Sequence, residues 1–263
     1  MKKNIMKIVV LVGLAALTFG SVPAWADDDK PTASADISVL TRYVWRGLGL
    51  SEDSFVVQPS VSVSYKNFNF NLWGNLDTDQ FDGDLTTEDD ANFNETDMTL
   101  SYTIEYDKFT MELGYIYYSL DALADTQEFY YSVSYDFFLS PTITFYKDVD
   151  AVPGVYMNLG ISYSLPLSGD MALDLGATIG YQASDHLYQY QDDLTMTNKT
   201  YNAIHDGTIS ASITIPIDDY ISITPMLTYS FPLSDDAENY IKANSMLTDA
   251  DLIYGGITCS ISF

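Results

Sequence analysis

Arg42 and Arg46 are the only arginines in a chain of 263 residues that sets Asp+Glu 37 against Lys+Arg 11. Two guanidiniums in such surroundings will find carboxylates. On an extended strand, the acids that alternation turns to the same side as the arginines are Asp97, Glu105, Glu112, Glu128 and Asp174. Two chemistries fit that set. One is an ion-pair network that braces a polar interior; the other is an electrostatic constriction that selects solutes. Trp73, Tyr118, Tyr130, Tyr146, Tyr156 and Tyr254 fall on the same face. They would serve either as a stacking track for flat-faced solutes or as bulk that fills a narrow interior.

Other chemistry is thinner. Asp77, Asp79, Asp82 and Asp84 lie in one acidic stretch, and hard cations want several oxygens. The spacing departs from the EF-hand template, because Gly83 comes one residue late and Phe81 fills a ligand position. A solvated external loop is the first expectation there, with loosely bound Ca²⁺ or Mg²⁺, bridging lipid phosphates, as the second. The two histidines, His186 and His205, invite a hydrolase reading, which needs a serine and an orienting Asn or Asp. His205 falls on the apolar face of its strand, Ser210 and Ser212 on the other, and no nucleophile signature surrounds them. No resident cofactor and no catalytic residue is expected. A net charge of −26 excludes nucleic acid as a partner, since phosphate contact needs clustered Lys and Arg. Cys259 is the single cysteine, so no internal disulfide forms.

The elements that must position these residues are strands. Tyr 21 and Phe 13 accompany many Val, Ile, Thr and Ser. Apolar and polar residues alternate, as in Ile257, Cys259, Ile261 and Phe263 against Thr258, Ser260 and Ser262. The alternation predicts twelve strands: 36–46, 55–65, 68–77, 95–106, 109–119, 127–135, 139–148, 155–165, 171–183, 203–215, 220–231 and 252–263. Connections alternate too. Segments 66–67, 107–108, 136–138, 166–170 and 216–219 are short turns, and 47–54, 78–94, 120–126, 149–154, 184–202 and 232–251 are longer loops. A soluble antiparallel sandwich also alternates. Its loops, however, need not sort by length, and here one face is small and polar while the other is almost wholly apolar with aromatics near strand ends. The expected fold class is therefore all-β, an antiparallel transmembrane β-barrel of about 12 strands with short periplasmic turns and long acidic external loops.

Residues 1–26 read as a secretory signal peptide: Lys2, Lys3 and Lys7, an apolar run, then Ala24-Trp25-Ala26. Removing those three lysines and no acid takes the charge from −26 to −29 for the rest. Residues 27–35 are expected to be a short periplasmic segment and 36–263 the barrel. Phe263, a terminal aromatic, is the expected assembly signal for the barrel-assembly machinery. Outer-membrane lipids and small hydrophilic solutes complete the expected partners, in the outer membrane of a Gram-negative cell.

Tyr43-Val44-Trp45-Arg46-Gly47, then Gln58-Pro59-Ser60-Val61, then Asn71-Leu72-Trp73-Gly74-Asn75 resemble the opening of the TorF-type family of outer-membrane porins. The resemblance covers about the first 50 residues after the leader. It implies an outer-membrane barrel acting as a channel, names no substrate, and carries over to Arg46 and Gly47. The leading functional expectation is passive diffusion of small hydrophilic solutes, with cations or neutral molecules preferred. The alternative is a non-transporting surface barrel with a plugged lumen, and a more remote one is an outer-membrane lipid hydrolase.

Overall fold

Period-two alternation becomes twelve long antiparallel strands that close on themselves. The computed structural model describes residues 30–80, 90–121, 123–192 and 195–263, with side chains described in those ranges except at 185–199. The strands are β1 (Thr32–Leu40), β2 (Val44–Trp45), β3 (Leu48–Gly49), β4 (Val56–Tyr65), β5 (Phe68–Gln80), β6 (Asp90–Tyr106), β7 (Phe109–Leu120) and β8 (Thr126–Tyr135). They continue with β9 (Thr142–Asp148), β10 (Gly154–Pro166), β11 (Ala172–Asp192), β12 (Thr195–Pro216), β13 (Ile221–Pro232), the helix α1 (Asp235–Asn244) and β14 (Leu252–Ser262). Strands β4 to β14 pair in chain order, and β1 closes the ring by pairing with both β4 and β14. Ala35, for example, faces Val61 on one side and Ile261 on the other. Only β2 and β3 stand outside the ring, as a two-stranded sheet of their own.

Closure leaves no unpaired edge where the twelve strands run side by side, so their N–H and C=O groups find partners within the sheet there, and only extensions such as β11 beyond Ser184 rise past a neighbour. One face can then be greasy without exposing polar backbone. Ile37, Val61, Leu100, Leu113, Ile179, Ile209, Leu227 and Ile257 all lie exposed on the outer surface. Aromatics pair across neighbouring strands near both rims. Phe68 meets Tyr102 and Phe109 meets Tyr135 at the turn end, each at 4.8 Å between rings, and Tyr115 meets Phe129 toward the loop end, where Tyr229 and Phe231 also stack along β13. Inside, hydroxyls and amides form rungs: Ser38 with Thr258 at 2.8 Å, Thr178 with Thr208 at 2.7 Å, Gln58 with Asn75 at 3.0 Å.

All twelve expected strands are present, with four corrections. β1 begins at Thr32 and ends at Leu40, so 32–35 belong to the barrel and 41–46 do not. Past Leu40 the chain turns into the lumen, because Tyr43-Val44-Trp45 is a run of three apolar residues that no two-faced strand can place. The expected loop at 184–202 is largely strand, since β11 and β12 reach Asp192 and Thr195, and both ends of the one at 78–94 are strand, since β5 and β6 reach Gln80 and Asp90. Their polarity had marked them as loops, but polar Thr- and Tyr-bearing strands persist wherever they clear the apolar belt. The 232–251 connection carries α1, whose Ser234 side chain accepts from the Ala237 N–H as an N-cap. Finally, His205 points inward. Thr178 faces Thr208 and Ile179 faces Gly207, but Tyr181 faces Ile204, so β12 holds one extra residue there. That bulge turns His205 and Asp206 both to the interior. The leader and Asp82 and Asp84 lie outside the described residues, and the His186 side chain lies among those not described.

Candidate functional site

The lumen is crossed by a piece of its own chain. β2 and β3 form a hairpin with Val44 opposite Gly49 and Trp45 opposite Leu48, leaving Arg46-Gly47 as a two-residue turn. Both turn residues have positive φ, 48° at Arg46 and 80° at Gly47, as a tight I′-like turn demands. Glycine carries that conformation without a Cβ penalty, which explains the Arg-Gly pair. Tyr43 seals the base: its N–H donates to Ser51 Oγ at 2.9 Å and its carbonyl accepts from the Leu50 N–H at 2.8 Å. At the neck, outside the hairpin, Arg42 meets Asp53 at 3.2 Å.

Arg46 reaches the opposite wall. Its guanidinium donates two bonds to Glu128 on β8, at 2.8 and 2.7 Å. The group lies over Trp45 at 4.2 Å, Tyr156 at 4.4 Å and Tyr146 at 4.6 Å. Tyr146 and Tyr156 sit on β9 and β10, five strand steps from β4 one way and from β1 the other, so the hairpin tip spans the full bore. A bidentate, aromatic-flanked pair is strong because planar donors match the carboxylate and the cation faces π density. Glu128 also accepts from the Tyr118 hydroxyl at 2.8 Å. On a third side His205 Nε2 lies 3.0 Å from the Arg46 carbonyl oxygen. A carbonyl only accepts, so Nε2 carries the proton, and Nδ1 then accepts from the Tyr201 hydroxyl at 2.6 Å.

The wall around this tip is acidic. Asp97 is 1% exposed and its Oδ1 has no protein hydrogen-bond partner. Glu95 sits beside it and meets the Tyr43 hydroxyl. Asp206 accepts from the Tyr156 hydroxyl at 2.9 Å. Toward the turn end the character changes. Ser34, Ser38, Ser60, Ser62, Ser132, Ser134, Ser210 and Ser212 line the inner half and are only half-buried.

Of the expected site residues, Arg46, Glu128, Asp97 and Trp73 come together around the hairpin. Trp73 packs against Tyr43 at 5.6 Å between rings. Arg42 does not join them: the strand that was to carry it inward ends at Leu40, and it pairs with Asp53 instead. Glu112 faces inward lower down and accepts from the Tyr130 hydroxyl. Glu105 is exposed near the turn end, and Asp174 is buried on β11 and accepts from Thr214 at 3.3 Å. Asp77 is buried and accepts from the Ser54 hydroxyl, while Asp79 is exposed. Among the described residues no group of three or more acids, His or Cys is placed to hold a metal ion. Phe263 is exposed and tilts against Tyr220. Sequence reasoning missed Glu95, Asp206 and the inward His205. A residue-by-residue parity check would have caught Glu95, which shares its face with Asp97; the bulge that turns the other two leaves no mark in the alternation.

No protein-family model matches the sequence, and no curated protein matches it. Solved structures do match. The NanC porin aligns at 12% identity with a TM-score of 0.54, covering 87% of this chain and 98% of that one. An outer-membrane channel from Pseudomonas putida F1 aligns at 8% identity, TM-score 0.48, over 89% of this chain and 94% of that one. At these identities the likeness to NanC is one of fold: a closed antiparallel barrel of similar extent.

Proposed function

We propose that this chain is an outer-membrane channel through which small hydrophilic solutes diffuse passively, with cations or neutral molecules preferred. One observation carries the reading. The lumen is wide enough to admit a nine-residue hairpin, so the bore is occupied by a piece of chain that is not part of the wall. The apolar outer surface with aromatic pairs near both rims suits a bilayer. The half-buried hydroxyl lining suits water and polar solutes. Glu95, Asp97, Glu128 and Asp206 face a single guanidinium at the constriction, and such a wall concentrates cations and repels anions. Recognition of Phe263 by the barrel-assembly machinery and export by the leader belong to the same proposal. So does membership of the TorF-type porins, supported by the turn that Arg46-Gly47 makes. Loose Ca²⁺ or Mg²⁺ at the external loops remains compatible with the exposed acids there. Nothing in the lumen suggests hydrolysis: both ring nitrogens of His205 are engaged, by Tyr201 and by the Arg46 carbonyl.

The same hairpin favours a second reading, a surface barrel that transports nothing. Planar-bilayer recording under a salt gradient separates the two. The channel reading expects discrete current steps with a reversal potential on the cation side. A bilayer that stays silent with the native chain and conducts only once the hairpin is excised supports the plugged barrel.

A further inference from the structure

Residues 43–51 are built as a unit distinct from the wall. They hold their own hydrogen bonds, from Tyr43 to Leu50 and Ser51, and pair with no strand of the ring. Their only covalent ties are the two legs at the neck, bridged by the exposed Arg42–Asp53 contact. Two sets of contacts hold them in place. Inside, polar contacts, Arg46 on Glu128 and the Arg46 carbonyl on His205, are set among aromatic ones, Trp45 against Tyr118 and Tyr43 against Trp73. Water entering from the half-exposed inner lumen can replace the polar part, since ions and carbonyls rehydrate on release. Outside, the hold comes from the α1 connection. The Gly49 N–H donates to Ser245 Oγ at 3.0 Å, and the Gly49 carbonyl accepts from the Met246 N–H at 2.8 Å. Leu48 packs in one apolar cluster with Tyr240, Ile241 and Ala250. That cluster has no aqueous substitute. A β-carbon on Gly49 would lie 2.9 Å from the Leu247 side chain and one on Gly47 3.0 Å from that of Ile241, so the side chains of the α1 connection press directly on the hairpin backbone.

We propose that residues 43–51 are a gate across the lumen and that α1 is an external clamp that sets how much of the time it is open. The proposal rests on the channel reading above. It places the control point outside the bore, on a loop that an external ligand or neighbouring molecule could displace without touching the pathway.

Two sets of variants test it by single-channel recording. The first staples gate to wall: Gly47→Cys with Asp206→Cys, in a Cys259→Ser background. A β-carbon on Gly47 lies 3.1 Å from that of Asp206, close to the ~3.5–4.5 Å a disulfide spans. Any strain at Gly47 affects oxidised and reduced protein alike, so the redox comparison cancels it. Oxidation should abolish openings and reduction restore them. Openings that persist in the oxidised protein overturn the gate. The second set is Tyr240→Ala and Ile241→Ser, which loosen the clamp. Each should raise the ratio of open to closed time about fivefold or more, with the size of the current step unchanged. An unchanged open fraction overturns the clamp, and a changed step size means that α1 lines the path instead of regulating it. A chain with 43–51 excised distinguishes the two levels of the argument. If only that chain conducts, the hairpin is a permanent plug and the gate is wrong. If it too is silent, the channel reading itself fails.

Discussion

The two halves of the lumen are made of the same twelve strands and are physically unlike. Near the loop end, Tyr43, Trp73, Tyr118 and Tyr156 are buried around a charged pair, and Asp97 and Thr99 are each 1% exposed. Near the turn end, the wall is serine and threonine, half-buried, bonded in short rungs such as Ser134 with Thr142. The difference comes from the hairpin, which desolvates whatever surrounds it. Asp174, buried on β11 beside the Thr214 hydroxyl, is an acid of the turn-end half that is likewise shut from water. The lesson is that a barrel wall of uniform alternation can hold two environments when one connection folds inward.

Substitutions can break or sharpen that contrast. The largest effect is expected at Glu128. Glu128→Ala leaves the Arg46 guanidinium buried without its carboxylate, at a cost of about 3 to 5 kcal/mol, whereas Ser62→Ala on the inner half should cost less than about 0.5 kcal/mol. Urea unfolding in lipid vesicles measures both, and equal costs would erase the distinction. The outer surface should show no such division. Leu100→Arg, exposed to the acyl chains, is expected to cost about 2 to 4 kcal/mol by the same measurement, whichever half lies behind it. Glycines give a smaller test. A β-carbon on Gly180 would meet Asp206 Oδ1 at 2.1 Å and the Tyr156 hydroxyl at 2.6 Å, so Gly180→Ala should cost about 1 to 3 kcal/mol by overpacking. One on Gly160 comes no nearer than 3.5 Å to any neighbour, the Thr178 methyl, and Gly160→Ala should be close to neutral.

The fold was legible because each strand solves one problem repeatedly: lipid on one side, water on the other. Val61, Val63 and Tyr65 against Ser60, Ser62 and Ser64 state that solution residue by residue. The site was legible only in part. The inward-facing Arg46 and the set containing Asp97 and Glu128 followed from types and alternation, but the departure of the chain from the wall at Leu40 did not, because 36–46 reads as one continuous strand. Which acid Arg46 meets was not legible, since that depends on where the hairpin tip lands, five strands away. The inward turn of His205 needs a bulge, and one extra residue in a ladder changes no composition. Whether tyrosines stack solutes or fill space also depended on the hairpin: Tyr146 and Tyr156 are spoken for by the guanidinium.

The smallest expected effect lies outside the bore. Asp125 accepts bonds from the Tyr117 hydroxyl and the Leu120 N–H, and these hold its carboxyl below the usual aspartate range. A lowered value in the folded state means that this contact is fully present above the ordinary aspartate value of 3.8 and is lost as the pH falls through the lowered one. The protection of the Leu120 amide against hydrogen exchange, relative to its intrinsic rate at each pH, should therefore fall in acid, and Asp125→Asn should remove that dependence.

The central claim is that the hairpin separates an inner compartment, open at the turn end, from the loop side. Labelling of Ser62→Cys, in a Cys259→Ser background, by a membrane-impermeant thiol reagent in oriented vesicles tests it most directly. The account expects reaction from the turn side at least about tenfold faster than from the loop side, in line with a mostly closed two-state barrier, and near-equal rates once residues 43–51 are removed. Equal rates from both sides in the intact chain would contradict it.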